Sequence, residues 1–430
     1  MDLAVDGRTH PLTLGVQTMR RSILLAGALV TSLTLAACGS SDDDTPAEGT
    51  ATSAAGADAA GSITMWVDEV RINDFRGVAE TFTADTGVEV NMVQKASGDI
   101  GPDFVQQAQT GEGPDVIITA SDGLGELVTN GLVAPVALGD ASSDFVASAA
   151  SAFVYDGQNY GVPYSIENIA LVRNNALATE TPETFQELVE QGKGLGTYPI
   201  LIQQGIEGDP YHMYPIQTSF GATVFEQTED GSYTDQIAMG GEAGENFATF
   251  LREMGDERIF DASIDGDIAK QAFIDGESAY TITGPWNTTA FTDAGMDITV
   301  LPIPSAGGEP ARPFVGVQGA LVNAYAKNPV LANEFVANYL TTEEAQDALY
   351  EAGGRSPALT ASAEKVEDPI LAGFGEAGAE GFPMPSIPAM ASVWTFWGVG
   401  QAEVFTGAAS DPVAGWNTMI SNIESAIAGS

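Results

Sequence analysis

The feature that most constrains the fold is an alternation of short apolar runs with a helix-like segment near the start of the apolar part of the chain. Residues 63–67 (ITMWV) and 115–118 (DVII) are suited to buried strands, and residues 88–93 (VEVNMV) alternate as a half-buried strand does. Residues 78–82 (VAETF) have helical spacing, and Gly87 after them is typical of a helix end. Strand, helix and strand in this order predict βαβ units and a parallel sheet.

A second alternating block follows the strand-like residues 170–172 (ALV). Residues 181–183 (TPE) predict the start of a helix, because they offer a hydroxyl N-cap, a proline at the first helical position and an early acid. Further strands are predicted at residues 278–282 (SAYTI) and 298–301 (ITVL). Further helices are predicted at residues 328–340 and 414–427. We therefore expect an α/β protein.

The N-terminal segment indicates a targeting signal. Two arginines precede residues 23–37, an uncharged run shorter than the roughly 20 apolar residues that cross a bilayer. It ends in LAAC at Cys38, which is similar to the lipobox of bacterial lipoproteins, where the cysteine carries lipid; an ordinary buried thiol is the alternative. We expect residues 1–37 to combine an extension before Met19 with a lipoprotein signal peptide. Residues 38–61 have no aromatic side chain and are expected to be a flexible tether.

Composition excludes several classes of function. The formal net charge of −44 argues against nucleic acid and anionic lipid as direct ligands, since phosphates would be repelled. Cys38 is the only cysteine, so neither an intrachain disulfide nor a thiolate metal site can form. His212 is the only histidine after the signal segment, which excludes a multi-histidine zinc site and leaves one candidate for a catalytic triad. Residues 38–430 are too many for one hydrophobic core, so we expect two domains. We expect no cofactor.

Six blocks of sequence, in order, carry a family resemblance. They are residues 63–68 (ITMWVD), 113–118 (GPDVII) with 130–132 (NGL), 160–164 (YGVPY) with 170–171 (AL), 272–286 (AFIDGESAYTITGPW), 300–302 (VLP) with 313–317 (PFVGV), and 384–390 (MPSIPAM). Together, behind a lipobox, they resemble the extracellular solute-binding proteins of ABC sugar importers, of the maltose/maltodextrin-binding type. The resemblance extends from Ile63 to the C-terminus.

The resemblance implies an α/β, periplasmic-binding-protein-like (type II) fold, with two lobes, a ligand cleft between them and a chain that crosses the hinge more than once. Lobe 1 is expected to comprise residues 62–165 and 319–364, and lobe 2 residues 170–314 and 370–430. It further implies a monomeric binding protein, not an enzyme, that captures a maltodextrin-like oligosaccharide and delivers it to membrane permease subunits of an ABC importer. A lipid anchor in place of free diffusion favours the outer face of a Gram-positive cell membrane.

The resemblance also implies a set of ligand contacts. Aromatic planes suit the apolar faces of a sugar, and carboxylates suit its hydroxyls. Trp286, Trp394 and Tyr211 match stacking positions of the family, whereas Asp122, Glu167 and Asp209 match its carboxylates. Glu69 and its neighbour Asp68 lie near a family contact position, and Glu69 is the preferred candidate of the two. The expected ligand-binding set is Glu69, Asp122, Glu167, Asp209, Tyr211, Trp286 and Trp394.

Structural alternatives stay open for these positions. Either tryptophan could be a core residue, and Asp122 could be a helix cap. Trp397 shares a helical face with Trp394 and is expected in the core. His212 replaces an aromatic residue of the family, so it could stack or donate, or be a solvated loop histidine.

Two departures from the family concern Thr119, where the pattern has a tryptophan, and Gly123, where it has an arginine. They leave the identity of the sugar open. A rival function is a secreted glycosidase, which would need two carboxylates about 5–9.5 Å apart. A third reading keeps the fold and changes the ligand to another small polar molecule, such as a polyol or an amino sugar.

Overall fold

The computed structural model describes residues 61–228 and 231–429. The expected signal peptide, the expected lipidation site Cys38 and the expected tether up to residue 60 lie outside the described residues. In the part that is described, no helix combines the length and the apolar character needed to cross a membrane.

The strands are β1 (Ser62–Asp68), β2 (Glu89–Lys95), β3 (Val116–Ala120), β4 (Val154–Tyr155), β5 (Gln158–Asn159), β6 (Gly161–Glu167), β7 (Ala170–Asn174), β8 (Leu201–Ile202), β9 (Phe225–Gln227), β10 (Tyr233–Ile237), β11 (Tyr280–Thr283), β12 (Ile298–Leu301), β13 (Phe314–Val322), β14 (Ser356–Pro357) and β15 (Phe382–Pro383). The α-helices are α1 (Asp74–Thr86), α2 (Ile100–Gln107), α3 (Leu124–Thr129), α4 (Ala147–Ala152), α5 (Phe185–Gly192), α6 (Pro210–Thr218), α7 (Gly241–Asp256), α8 (Gly266–Ile274), α9 (Thr288–Asp293), α10 (Pro329–Asn333), α11 (Glu343–Gly353), α12 (Thr360–Ala363), α13 (Pro369–Gly378), α14 (Ala389–Thr406) and α15 (Pro412–Gly429). Short 3₁₀ helices lie at Ser97–Asp99, Ala108–Thr110, Ser121–Gly123, Gly139–Asp144 and Pro285–Asn287, and a π-helix lies at Glu334–Tyr339.

The larger sheet has the strand order β14-β6-β13-β3-β1-β2, with β15 paired to the start of β13. Strand β1 runs parallel to both β2 and β3, which confirms the predicted βαβ units. Strand β13 is antiparallel to β3 and β6, so the sheet as a whole is mixed. The smaller sheet has the order β12-β7-β11-β8, with β11 parallel to β8 and antiparallel to β7.

Each sheet has its own hydrophobic core. The core of the larger sheet draws on residues 63–164 and 317–359 and is filled by side chains such as Phe75 and Phe104. On one side of the smaller sheet, a core from residues 169–314 and 389–423 includes Trp397 and Trp416. A third cluster, with Phe273 and Phe374, packs α8, α9 and α13 on its strands. The described residues therefore form separate hydrophobic cores on the two sheets.

The chain passes between the two sheets three times. The first passage joins β6 to β7 around Asn168. The second lies within β13, where Phe314 belongs to the core of the smaller sheet and Val317 to that of the larger one. The third leads from Leu359 to Leu371. These passages make three connections between the two sheets.

The helix predicted to start at residues 181–183 begins later, at Phe185. Thr184 is extended and bridges to Ser305, which leaves its side chain free to cap the helix by accepting a hydrogen bond from the backbone N–H of Glu187 at 3.2 Å. The predicted N-cap was therefore wrong: it is Thr184 and not Thr181. The pairing of Thr184 with a distant segment decides where the helix begins.

Candidate ligand-binding site

The candidate site residues lie where strands of the two sheets end. Asp122 is in the 3₁₀ turn directly after β3, and Glu167 is the last residue of β6. Trp286 follows β11, and the segment that follows its parallel neighbour β8 leads to Asp209 at the start of α6. Neighbouring parallel strands end at the same edge of a sheet, which brings these loops together, and such edges are the usual ligand positions in α/β folds.

Asp122 and Trp394 meet directly. The indole Nε1 of Trp394, on α14, donates a hydrogen bond of 2.8 Å to Oδ2 of Asp122. Burial raises the pKa of Asp122, and the hydrogen bond from Trp394 offsets this effect only in part. Beside this contact, α3 and the segment before α14 approach so closely that Gly125 has no room for a Cβ against Ser386. The larger sheet and α14 are therefore in contact at this edge.

Two of the aromatic candidates share one buried neighbour, Phe314. Tyr211 stacks on Phe314 with ring centroids 6.4 Å apart and an interplanar angle of 24°, and Trp394 packs edge-on against it at 6.4 Å. Trp286 is 6.3 Å from Tyr211 with an angle of 41°. Tyr211, Trp286 and Trp394 are each partly exposed, whereas Phe314 is buried. Two partly exposed rings thus pack on the buried ring of Phe314, and Trp286 joins them through Tyr211.

The charges of both sheets act on the phenol of Tyr211. Burial is the main reason why its pKa is raised, and the carboxylates of Glu167, Asp209 and Asp122 raise it further, while Arg71 opposes them. Charged groups that are far apart in the chain therefore act electrostatically on one hydroxyl. Four of the predicted contact residues converge here.

Glu167 is held by two arginines. Its Oε2 lies 2.6 Å from Nη2 of Arg71, and its Oε1 lies 2.9 Å from Nε of Arg355. Arg71 also binds Asp68 at 2.6 Å, and Arg355 forms an ion pair with Asp74. We call these five side chains the buried ion network. Glu167 is 3% exposed, so both of its oxygens are occupied by cations inside the protein.

Asp209 caps α6, and its neighbours hold its carboxylate in a fixed position as a hydrogen-bond acceptor. Its Oδ1 accepts from the backbone N–H of His212 at 3.0 Å, and its Oδ2 accepts from Gln203 Nε2 at 2.6 Å and lies 2.9 Å from His212 Nδ1. Burial alone would raise the pKa of Asp209, but the contacts with His212 and Gln203 outweigh it, so this pKa lies below its usual range. The carboxylate therefore stays ionised near neutral pH.

The remaining predictions have mixed outcomes. Glu69 is exposed in the turn after β1, while Asp68 beside it is buried in the ion network. Trp397 is 0% exposed and donates to Gln217 Oε1 at 3.1 Å, which confirms that it is a core residue. The solvated-loop alternative for His212 was wrong, because the residue is buried in the first turn of α6.

Sequence reasoning missed Arg71, Arg355 and Phe314 as parts of this site. Phe314 falls in one of the blocks that carry the resemblance, but nothing near it in sequence indicates its central position. The one available signal for the arginines is their rarity, since Lys and Arg together number 15 against 59 acids. Within residues 61–228 and 231–429, no group of three or more His, Cys, Asp or Glu side chains is arranged to hold a metal ion.

Two sheets with separate cores, three crossings and a carboxylate and aromatic site at the strand ends define a two-lobed ligand-binding protein of the periplasmic type II class. Residues 77–372 match the model of the bacterial extracellular solute-binding proteins, and the chain belongs to this family. The predicted fold is confirmed, as is the prediction of a binding protein in place of an enzyme.

Similar proteins of known function span almost the whole chain. A galactooligosaccharide-binding protein of Bacillus subtilis is 27% identical over 89% of this chain and 91% of its own length. A maltooligosaccharide ABC transporter solute-binding lipoprotein of Streptococcus pneumoniae is 27% identical over 87% and 90%. The chain is also similar to the solved structure of the Thermus thermophilus maltotriose binding protein bound with maltotriose, with 30% sequence identity and a TM-score of 0.78. The match covers 85% of this chain and 100% of that one.

Proposed function

We propose that this protein captures an oligosaccharide of the maltodextrin type between its two lobes and delivers it to an ABC importer. The observation that carries the proposal is the convergence of Asp122, Asp209, Tyr211, Trp286 and Trp394 at one edge of the two sheets. The names of the similar proteins, which refer to maltooligosaccharides, galactooligosaccharides and maltotriose, support the same ligand class.

The chemistry of the site suits a neutral sugar. The partly exposed rings of Tyr211, Trp286 and Trp394 offer faces for the C–H surfaces of successive sugar units. Asp209 and Asp122 offer carboxylate oxygens to hydroxyl donors. Within the proposed contact set, Glu69 is exposed in the turn after β1, whereas Glu167 would have to give up an ion pair with Arg71 or Arg355 to reach a sugar hydroxyl.

Lobe 1 would comprise residues 62–165 and 319–364, and lobe 2 residues 170–314 and 370–430. The three chain crossings between them form the hinge. A ligand that touches both lobes favours their closed arrangement, because it contacts more surface there than in an open one. The closed form would then dock on the permease subunits.

The site of action follows from the N-terminal sequence. The LAAC segment at Cys38 supports lipidation of that cysteine and attachment to the outer face of the cell membrane, in a Gram-positive organism. One of the similar proteins is named a lipoprotein. The receptor would act as a monomer, tethered close to its transporter.

The proposal is tested by calorimetric titration with maltose, maltotriose, longer maltodextrins and galactooligosaccharides. The galactooligosaccharides belong in the panel because Thr119 and Gly123 remove a stacking wall and a cation that the maltodextrin pattern has. We expect at least one member to bind tighter than about 1 mM, or about −4 kcal/mol. Binding weaker than this for every member would overturn the proposal. Shortened products after prolonged incubation would favour the glycosidase reading.

A further inference from the structure

His212 is placed between two of the proposed ligand contacts. It lies in the first turn of α6, directly after Tyr211, and is 4% exposed. Its ring packs edge-on against Trp286 with centroids 6.0 Å apart and an angle of 85°, and against Tyr211 at 5.4 Å and 74°. On its other side it meets the carboxylate of Asp209.

The contact with Asp209 fixes the proton on one ring nitrogen. An ionised carboxylate can only accept, so Nδ1, at 2.9 Å from Oδ2, must be the donor. In the neutral ring Nε2 is then an acceptor. It is buried and has no hydrogen-bond partner among the described residues. An unpaired buried acceptor is costly, and a second proton on Nε2 would remove the lone pair at the cost of a buried charge.

Charged and neutral groups face the His212 ring from several elements. Asp209 is the charged group in direct contact with the ring, which is buried at the N-terminus of α6. Gln203, from the segment after β8, reaches the same carboxylate oxygen and is neutral. The aromatic neighbours Tyr211 and Trp286 carry no charge near neutral pH. Glu167, Arg71 and Asp122 act on the adjacent Tyr211.

We propose that His212 is a positioning residue of the sugar site, which holds the Asp209 carboxylate and the Trp286 indole in place and makes ligand affinity depend on its own protonation. This rests on the proposed function. A neutral ring shares Oδ2 with Gln203 and leaves lone pairs of the carboxylate for a sugar hydroxyl. A protonated ring draws the carboxylate toward itself and weakens it as an acceptor, so affinity falls when the ring takes up a proton from solvent.

The test uses the full chain with His10→Gln, in which His212 is the only histidine, and two variants of it. His212→Phe keeps an aromatic ring beside Trp286 and loses the hydrogen bond to Asp209. His212→Asn keeps a donor close to the position of Nδ1 and cannot take up a proton. Each protein is titrated with maltotriose, or with the tightest ligand of the panel, at about pH 7.5 and about pH 5.5. Thermal unfolding confirms that each variant is folded.

We expect His212→Phe to bind about tenfold more weakly at the higher pH, and His212→Asn to stay within about threefold of the parent. The parent should bind several-fold more weakly at the lower pH, while both variants lose that dependence. By linkage, saturating ligand should move the midpoint of the His212 imidazole titration, followed by NMR, to lower pH.

A His212→Phe variant that binds as tightly as the parent, or an unchanged pH dependence in both variants, would overturn the inference while the parent still binds sugar. An imidazole titration that ligand does not move would overturn it even if a variant failed to fold. If the parent binds no sugar, the result would instead contradict the proposed function, and the inference on His212 would fail with it.

Discussion

Trp394 Nε1 donates a 2.8 Å hydrogen bond to Asp122 Oδ2 and thereby links α14 to the turn that follows β3. The two residues are 272 positions apart in the chain: Asp122 follows β3 of the larger sheet, and α14 packs in the core of the smaller one. Both are also proposed to contact the ligand. The bond ties the two segments together and places an aromatic ring and an acceptor side by side.

Removing this donor should loosen the lobes. For Trp394→Phe without ligand, we expect a larger radius of gyration by small-angle X-ray scattering, because one of the contacts between the lobes is lost. Trp416→Phe is the matched control, since its Nε1 donates to the Met239 carbonyl within a single core. The control should lower the free energy of unfolding by about 1 kcal/mol and leave the scattering unchanged. Equal scattering for both variants and the native protein would contradict this account of the bond.

The ionised carboxylate of Asp122 should lower the free energy of unfolding at neutral pH. Burial raises its pKa in the folded protein above the ordinary value of 3.8, so its contribution to stability is present below that value and is lost as pH rises through the folded pKa. Asp122→Asn should accordingly raise the free energy of unfolding at pH 7, by about 1 kcal/mol, and weaken sugar binding. Urea unfolding should show this gain shrinking as pH falls. The exposed control Asp235→Asn should change little, and a destabilised Asp122→Asn at pH 7 would refute the argument.

The buried ion network should be sensitive to the loss of a cation. Arg355→Met leaves the buried Asp74 without its cation and Glu167 with Arg71 alone, which should lower the free energy of unfolding by about 3–5 kcal/mol in urea. Lys365→Met removes a cation that pairs with Glu343 and Asp347 at the surface, and it should have little effect. Similar losses for the two variants would show that the network is no more than a set of surface pairs.

The acidic surface should make stability depend on salt. At a net charge of −44 the folded chain repels itself, and added ions screen this repulsion. Between about 0.05 M and about 1 M sodium chloride, we expect the melting temperature to rise by roughly 5 °C or more. A melting temperature that stays constant or falls would mean that local ion pairs outweigh the general repulsion.

The sequence predicted the strands β1 to β3 and their parallel pairing, because those segments carry period-two or fully buried patterns that depend on near neighbours. It also indicated that Trp397 is a core residue, whereas the site position of Trp394 came from the family resemblance. It could not place the start of α5, since Thr184 is fixed by a bridge to Ser305.

The ion network was beyond sequence reasoning for the same physical reason. Glu167 is bound by Arg71 and Arg355, which come from distant parts of the chain and meet only when the crossing from β6 to β7 is folded. The burial of His212 likewise depends on Trp286, which a different strand positions. Local patterns specify elements, whereas the site is made by contacts between their ends.

The most direct test of the central claim is a calorimetric titration of the native protein and Trp286→Ala with maltotriose. We expect the native protein to bind tighter than about 1 mM and Trp286→Ala to bind at least tenfold more weakly, because a stacking face worth about 2 kcal/mol is lost. The exposed control Tyr325→Ala should bind like the native protein. Equal binding by Trp286→Ala and the native protein, or no binding of any oligosaccharide in the panel, would contradict the account.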